Sequence, residues 1–514
     1  MEMENRRREL ERIRRRRKQE VRRQLAVCGA AGVILCLAAA GWLLWPKLPA
    51  NGRETAAEAV SESAVVEIGG SENTPEAGVS GREESADAAG NGARDHEIRS
   101  GEAAAVIQTA PAEDLILPSN YDLREHGITP TVPDQGAFGT CWAFAALGAI
   151  ETTMPEAMRI PLSADHMSIQ NSFGVSQKDG GDYSISSAYL LAWQGPVAES
   201  SDPYGDGVSP ANLDPVCHVQ EIRILAKHDP DEVKQAVYQY GGVQSSFYMP
   251  QTAGAGRDRY YNEETHAFFY DGPLESNHDI VIIGWDDEYP RENFVKEPKA
   301  DGAFLCMNTW GEYFGDRGYF YISYGDSRIG TSNVVYTGIE PTDNYDQVYQ
   351  TDLCGWTGQL GYGTEEAWFA NVYEAQETCF VEAAGFYATV PETSYKVYVV
   401  PAEGAGVFEG KSAERILEGR KAAAEGHVEC AGFYTVPLAE QVQVAKGEAF
   451  AVIVQVESKD AREPVAVEYA AGERTKRVDI SDGVGYISPD GRFWERAETE
   501  LNCNVCLKAY VKNQ

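Results

Sequence analysis

The chain has 514 residues, enough for two or three domains, and its 43% hydrophobic content supplies sizeable cores. Its formal charge of −35 is unevenly placed: residues 1–24 hold eleven Arg and Lys against five Glu, so the remainder is more negative still. A polyanion of that size repels phosphate backbones, which excludes nucleic acid as a partner.

Residues 25–45 are an unbroken run of 21 uncharged, mostly apolar residues, enough at about 1.5 Å per residue to cross a hydrocarbon core of about 30 Å. The run predicts a single transmembrane helix. Arg14, Arg15, Arg16, Arg17, Lys18, Arg22 and Arg23 precede it, so the positive-inside rule puts residues 1–24 in the cytoplasm and the rest outside, at the cell surface. A cleaved signal peptide is the competing reading, but its apolar stretch is normally about 7–15 residues, and here Gly41, Trp42, Leu43 and Leu44 carry the run past Ala38, Ala39 and Ala40. Residues 46–114 are rich in Ala, Glu, Gly and Ser. Such a segment buries too little surface to offset ordering entropy, and predicts a disordered stalk.

Apolar and aromatic residues return near Leu115, and residues 115–340 mix helical and strand signals, an α+β pattern. The stretch Gln135-Gly136-Ala137-Phe138-Gly139-Thr140-Cys141-Trp142 leads into a nearly all-apolar run ending at Ile150. A turn feeding a buried helix puts Cys141 at the helix start, with Thr140 as candidate cap. The partial positive charge there favours a thiolate, the form that attacks carbonyls. Gln135 offers a side-chain amide to the oxygen that becomes negative during acyl transfer.

A thiol nucleophile needs a general base with a pKa near neutrality, hence a His. Of eight candidates, His278 stands at the mouth of the apolar run Ile280-Val281-Ile282-Ile283-Gly284-Trp285. It follows Cys141 by 137 residues, within the range of about 130–150 expected of a Cys–His pair of this kind. Phe304-Leu305-Cys306-Met307-Asn308 repeats the pattern of an apolar strand ending in a polar residue, with Trp310 close behind. Residues 286–301 read as a surface loop between these two strands.

These motifs resemble the papain (C1) peptidase family, as does the lead-in Leu117-Pro118-Ser119-Asn120-Tyr121-Asp122. The resemblance implies a two-lobed fold, helical lobe plus β-barrel lobe, with Gln135, Cys141, His278 and Asn308 as catalytic residues and Trp310 shielding the His–Asn hydrogen bond. It implies a peptide or protein substrate bound along Gly180 and Gly181, with no cofactor and no metal. Phe138 stands where the family usually has a second Cys, so one family disulfide is absent and packing must replace it.

Residues 344–514 change character. Short runs rich in Val, Tyr, Phe and Thr, such as 394–400, 449–456 and 505–511, alternate with turn residues and predict an all-β sandwich, with one helix around residues 413–424. This half resembles, more loosely, the lectin-like β-domain that follows papain-type domains in some bacterial cell-surface proteins. A glycan or other cell-surface ligand is the partner class it implies, with Trp356, Trp368 and Trp494 as sugar platforms or core residues. The leading reading is a membrane-anchored, extracytoplasmic cysteine peptidase. The alternative is an adhesin in which the papain-like domain is only a scaffold.

Overall fold

The computed structural model describes residues 116–250, 257–402 and 406–514. Residues 25–45 and the segment 46–114 lie outside the described residues, apart from which no helix is long and apolar enough to cross a membrane. The first half, to about residue 340, packs four helices around a mostly antiparallel sheet.

The central helix, Cys141–Thr153, is apolar on all sides and buried along nearly its whole length, which is why its sequence shows no amphipathic stripe. It lies on the strand His278–Asp286, which is itself buried almost throughout. That strand pairs with Val243–Phe247 on one side, setting Phe247 opposite His278 and Ser246 opposite Asp279. On the other side it pairs with Ala303–Met307, setting Val281 opposite Met307 with a register shift between Ile282 and Gly284. The shift brings Asn308, one residue past its strand, up to the start of the neighbouring one. A further helix runs over Tyr183–Leu191, starting on the Asp182 cap and ending before Trp193, whose φ of 59° stops it.

The second half is a sandwich of two larger sheets, with a third, three-stranded one of Gly358–Leu360, Val465–Glu468 and Asn504–Val505 beside them. One of the larger two contains Gln347–Tyr349, Leu507–Asn513, Cys379–Ala388 and Ala431–Val444. The other is built around Glu366–Glu374, Ala449–Ser458 and Thr393–Ala402. Phe369, Val397, Val454 and Ile487 from one inner face meet Val381, Phe386, Val436 and Val511 from the other. The helix expected around residues 413–424 is a single turn, Ala413–Ile416, and Ala424–Val428 is an edge strand. Trp356 packs on Tyr387, Trp368 on Tyr398 and Trp494 on Phe408, all half-buried.

The two halves share a sheet. The strand Glu221–Ile224 pairs with Asn333–Tyr336 of its own domain and, along its other edge, with Ala431–Val444 of the second. Backbone ladders therefore run without a break from one core into the other, covering an edge that would otherwise be open to association. Phe433, fully buried at this junction, packs on Gly385 and Tyr387. Phe433→Ala should cost about 3–5 kcal/mol, and calorimetry should show both domains melting in one transition at a lowered midpoint. Two resolved transitions would contradict a shared cooperative unit.

Candidate active site

The nucleophile segment is held from both sides. Gln135 N–H donates to the Thr309 carbonyl at 2.8 Å, and Asp134 bridges to Trp310, so the loop before Cys141 is tied to the loop that carries Asn308. Thr140 occupies the cap position, but its side chain does not cap the helix. Tyr204 Oη donates to the Gln135 carbonyl at 2.9 Å, which leaves the Thr140 hydroxyl to donate to Tyr204 Oη at 2.6 Å. Thr140 thus closes the loop onto Tyr204. Phe138 sets its ring edge-on to Tyr204 at 6.3 Å, so packing holds this loop where a disulfide was expected to be missing. The described cysteines form no disulfide with one another.

Cys141 is the first residue of its helix and buried. The backbone N–H groups of Asp279, Trp142 and Cys141 face its sulfur, which places the sulfur against the start of the His278 strand. His278 Nε2 is 2.7 Å from Asn308 Oδ1, and the Thr309 N–H donates to the same oxygen at 2.7 Å. An amide atom receiving a backbone N–H is the oxygen, so His278 Nε2 carries the proton and Nδ1 is left with a lone pair. Trp310 covers the imidazole, ring centroids 4.7 Å apart, and Phe247 sits edge-on at 5.7 Å. The Arg257 guanidinium lies over the outer side of Trp310 at 4.7 Å.

Gln135 is buried, with Nε2 donating to the Phe138 carbonyl at 2.7 Å and Oε1 accepting from the Thr309 hydroxyl at 2.5 Å. One amide hydrogen is used in the loop; the primary amide has a second. A cavity of about 330 Å³ lined by Asp134, Gln135, Phe138, Arg257 and Trp310 opens beside it. Gly180 and Gly181 lie on the nucleophile's other flank. A Cβ on Gly139 would stand 2.9 Å from Gly180 N, and one on Gly181 would stand 2.5 Å from the Trp142 indole nitrogen. Backbone-to-backbone approach here demands glycine.

Burial dominates the electrostatics. It pushes the Cys141 thiol up to about 12, with the Asp279 carboxylate adding to the rise and the facing N–H groups opposing it. Burial also pulls His278 down to about 4, against the Asn308 hydrogen bond. Either charge alone is disfavoured, so proton transfer from Sγ to imidazole is favoured only as a pair in which each ion stabilises the other. Asp279 is the group the sequence did not single out. Its carboxyl, buried and pushed up to about 6, accepts from Ser246 Oγ at 2.6 Å and Gln244 Nε2 at 2.9 Å. Gln244 in turn accepts from the Tyr336 hydroxyl at 2.7 Å and faces the Trp142 carbonyl at 3.3 Å. Only the strand register, which sets Ser246 opposite Asp279, could have revealed this network.

Among the described histidines, His166 contacts Tyr189 Oη at 2.6 Å, His218 stacks on Trp193 at 3.6 Å, and His427 is exposed beside Glu392. Asp287 accepts from Tyr324 Oη and Lys234 Nζ. Among the described residues no group of three or more His, Cys, Asp or Glu is arranged to hold a metal ion.

A buried Cys at a helix start, a His with its free nitrogen oriented by an Asn, and a Gln amide within one loop's reach define a thiol-peptidase type of site on a helix-and-sheet scaffold. Residues 117–339 match the Papain family cysteine protease model and residues 348–511 the Lectin like domain model. The chain carries a papain-family cysteine peptidase domain followed by a lectin-like domain. The oryzain gamma chain of Oryza sativa subsp. japonica is 28% identical over 231 residues, 42% of this chain and 57% of that protein. Pro-cathepsin H of Mus musculus is 26% identical over 220 residues, 41% of this chain and 62% of that protein. The chain therefore spans less than two thirds of the length of these relatives. The solved structure of the clostridial cysteine protease Cwp84 after propeptide cleavage superposes with a TM-score of 0.67 at 23% identity, covering 77% of this chain and 100% of that one. A second structure, of the cysteine protease and lectin-like domains of Cwp84, a surface layer associated protein of Clostridium difficile, gives 0.65 at 23% identity over 78% and 90% of the two chains. The likeness is one of fold, and it extends over both domains.

Replacing the carboxylate beside the sulfur separates its effect from burial. Asp279→Asn removes a negative charge that raises the Cys141 thiol, so the pH profile of Cys141 alkylation should move to lower pH. The gap from the parent should close below about pH 6, where Asp279 is itself protonated. Alkylation profiles that coincide above that pH would show that Asp279 does not act on the thiol.

Proposed function

We propose that the chain is a membrane-anchored, extracytoplasmic cysteine peptidase that cleaves peptide bonds with Cys141 as nucleophile. The observation that carries this reading is the His278–Asn308 hydrogen bond of 2.7 Å next to the helix-start cysteine. It leaves His278 Nδ1 as the base, on the strand whose next N–H faces the sulfur. Cys141 Sγ attacks the amide carbonyl as its proton passes to His278. The carbonyl oxygen becomes negative and is met by the Cys141 backbone N–H and the second hydrogen of the Gln135 amide. His278 then protonates the leaving amine, and water releases the acyl group by the reverse sequence. Asn308 fixes the ring and its tautomer through this exchange, and Trp310 keeps water off their hydrogen bond.

Gly180 and Gly181 offer backbone groups to an extended substrate on the flank opposite the cavity. The lectin-like domain is assigned a glycan or other cell-surface ligand, and residues 25–45 the membrane, on sequence grounds. In the scaffold alternative, the buried Gln135 amide and the His278–Asn308 hydrogen bond would have no task, so the adhesin reading is the weaker one.

Cys141→Ala should abolish turnover of a peptide library. Gln135→Ala should lower kcat by about 10²–10³ with little change in KM, because its bond forms as charge develops. A rise in KM alone would make Gln135 a ground-state binding group and displace it from the oxyanion site. The location has its own test: protease added to intact cells should cut between residues 46 and 114 and free a labelled, active fragment. Protection of the chain until lysis would reverse the orientation.

A further inference from the structure

The lectin-like domain reaches the wall of the cleft. Its one-turn 3-10 segment, Glu473–Thr475, lies on the loop that leads to Gly180 and Gly181. Gly174 N–H donates to the Arg474 carbonyl at 2.8 Å, and a Cβ on Gly174 would stand 2.7 Å from the Glu473 carbonyl oxygen, so the two backbones touch. The Arg474 side chain then spans three groups of the peptidase domain. Its Nη1 donates to Asp182 Oδ2 at 2.7 Å, its Nη2 to Ser184 Oγ at 2.9 Å, and its guanidinium lies 5.4 Å from the centroid of the Phe173 ring.

Asp182 is the hinge of that arrangement. It directly follows Gly181, and its Oδ1 caps the helix Tyr183–Leu191 through the Ser184 N–H at 2.9 Å while its Oδ2 takes Arg474. Against the upward push of burial, Arg474 and Ser184 hold the Asp182 carboxyl below the ordinary carboxylate range. From the other direction, Gly180 and Gly181 are pinned between Gly139 and Trp142 of the nucleophile segment, and the Gly139 N–H donates to the Gln177 carbonyl at 2.8 Å. The strip from Gln177 to Asp182 is thus fixed at its near end by the peptidase domain and at its far end by a residue 292 positions away in the other domain.

We propose that Arg474 is a positioning residue for the peptide-binding cleft, so that the lectin-like domain completes the substrate wall of the peptidase domain rather than merely following it. The inference rests on the reading of Gly180 and Gly181 as that wall. Side chains that hold a binding strip change how well an extended peptide is held and leave the reactivity of the thiol alone. The contact is half-exposed, so its loss should leave the fold intact.

The test uses the whole chain and two thiol reagents. Iodoacetamide reads Cys141 without the wall, and a peptidyl epoxide reads Cys141 through it. Arg474→Ala should lower the rate of peptidyl-epoxide labelling relative to iodoacetamide by about fivefold, the effect of about 1 kcal/mol. It should raise KM for peptides by a similar factor with kcat within about twofold. Arg474→Lys, which keeps the charge but loses the fork that spans Asp182 and Ser184, should fall between. Asp182→Asn retains a good helix cap and should reproduce the defect, with the double variant no worse than the worse single one. An unchanged labelling ratio in Arg474→Ala, or additive defects in the double variant, overturns the proposal. If Arg474→Ala fails to fold, Asp182→Asn alone decides it by the same ratio. Failure of the peptidase reading looks different: peptides would go uncleaved by the parent chain, while the ratio of the two labelling rates would still report on the wall.

Discussion

The close packing of the Cys141–Thr153 helix on the His278–Asp286 strand is the constraint from which the site follows. Both elements are buried, and their approach depends on Gly148, where a Cβ would stand 2.8 Å from Met307 Cε and 3.2 Å from Val281 Cγ2. Helix and strand cannot shift against each other without opening a cavity or a clash, so the first residue of one and the first of the other keep a fixed separation. Cys141 and His278 are those first residues. The nucleophile and its base inherit their geometry from the core, while Gln135 and Asn308, on loops, are brought to it by the Gln135–Thr309 backbone and side-chain hydrogen bonds.

Placing a thiol and an imidazole in a core has an electrostatic consequence. The same burial that fixes them opposes a charge on either, as the upward push on Cys141 and the downward pull on His278 show. The fold answers with dipoles rather than counter-ions: backbone N–H groups at the sulfur and an uncharged Asn at the imidazole. A carboxylate in place of Asn308 would stabilise imidazolium and hold the proton; an amide orients the ring and leaves the thiolate as its partner. Asp279 works against the thiolate, and its two hydrogen-bond donors keep it facing the Gln244 and Ser246 side chains rather than the cleft.

What the sequence made legible follows from how local each feature is. Gln135, Cys141 and His278 were named from short patterns, a turn into an apolar helix and an apolar strand that starts at a His, and Asn308 from the family resemblance of its segment; the fold ties Gln135 to Thr309 and His278 to Asn308. The β-rich second half was legible from its alternation and turns; the runs 394–400 and 449–456 are strands two or three residues longer, and the run 505–511 is broken at Cys506 into two strands. The features that escaped are those that depend on partners far away in the chain. Thr140 looks like a cap until Tyr204, 64 residues on, claims its hydroxyl. Residues 413–424 have helical composition, but pairing with Thr393–Ala402 draws Ala424–Val428 into a sheet, tertiary pairing overriding local propensity.

The position of the second domain gives the shared sheet its meaning. A flexible tether would let two domains of this size move independently, and a residue such as Arg474 could then hold nothing in place. Here the strand Glu221–Ile224 is paired on both edges, Ile224 standing opposite Val334 in one ladder and Ala431 in the other, so relative motion of the domains would break backbone hydrogen bonds as well as side-chain contacts. A rigid junction turns a half-exposed ion pair, weak by itself, into a fixed point, because the entropy of bringing Arg474 to Asp182 has already been met by the ladder. The ladder and the Arg474 contact touch the peptidase domain at two separate places, one at the edge of its sheet and one at the loop before the helix Tyr183–Leu191. Two separated attachments define an orientation where one would define only a pivot, and it is that orientation that sets Arg474 against Asp182, the residue after Gly181.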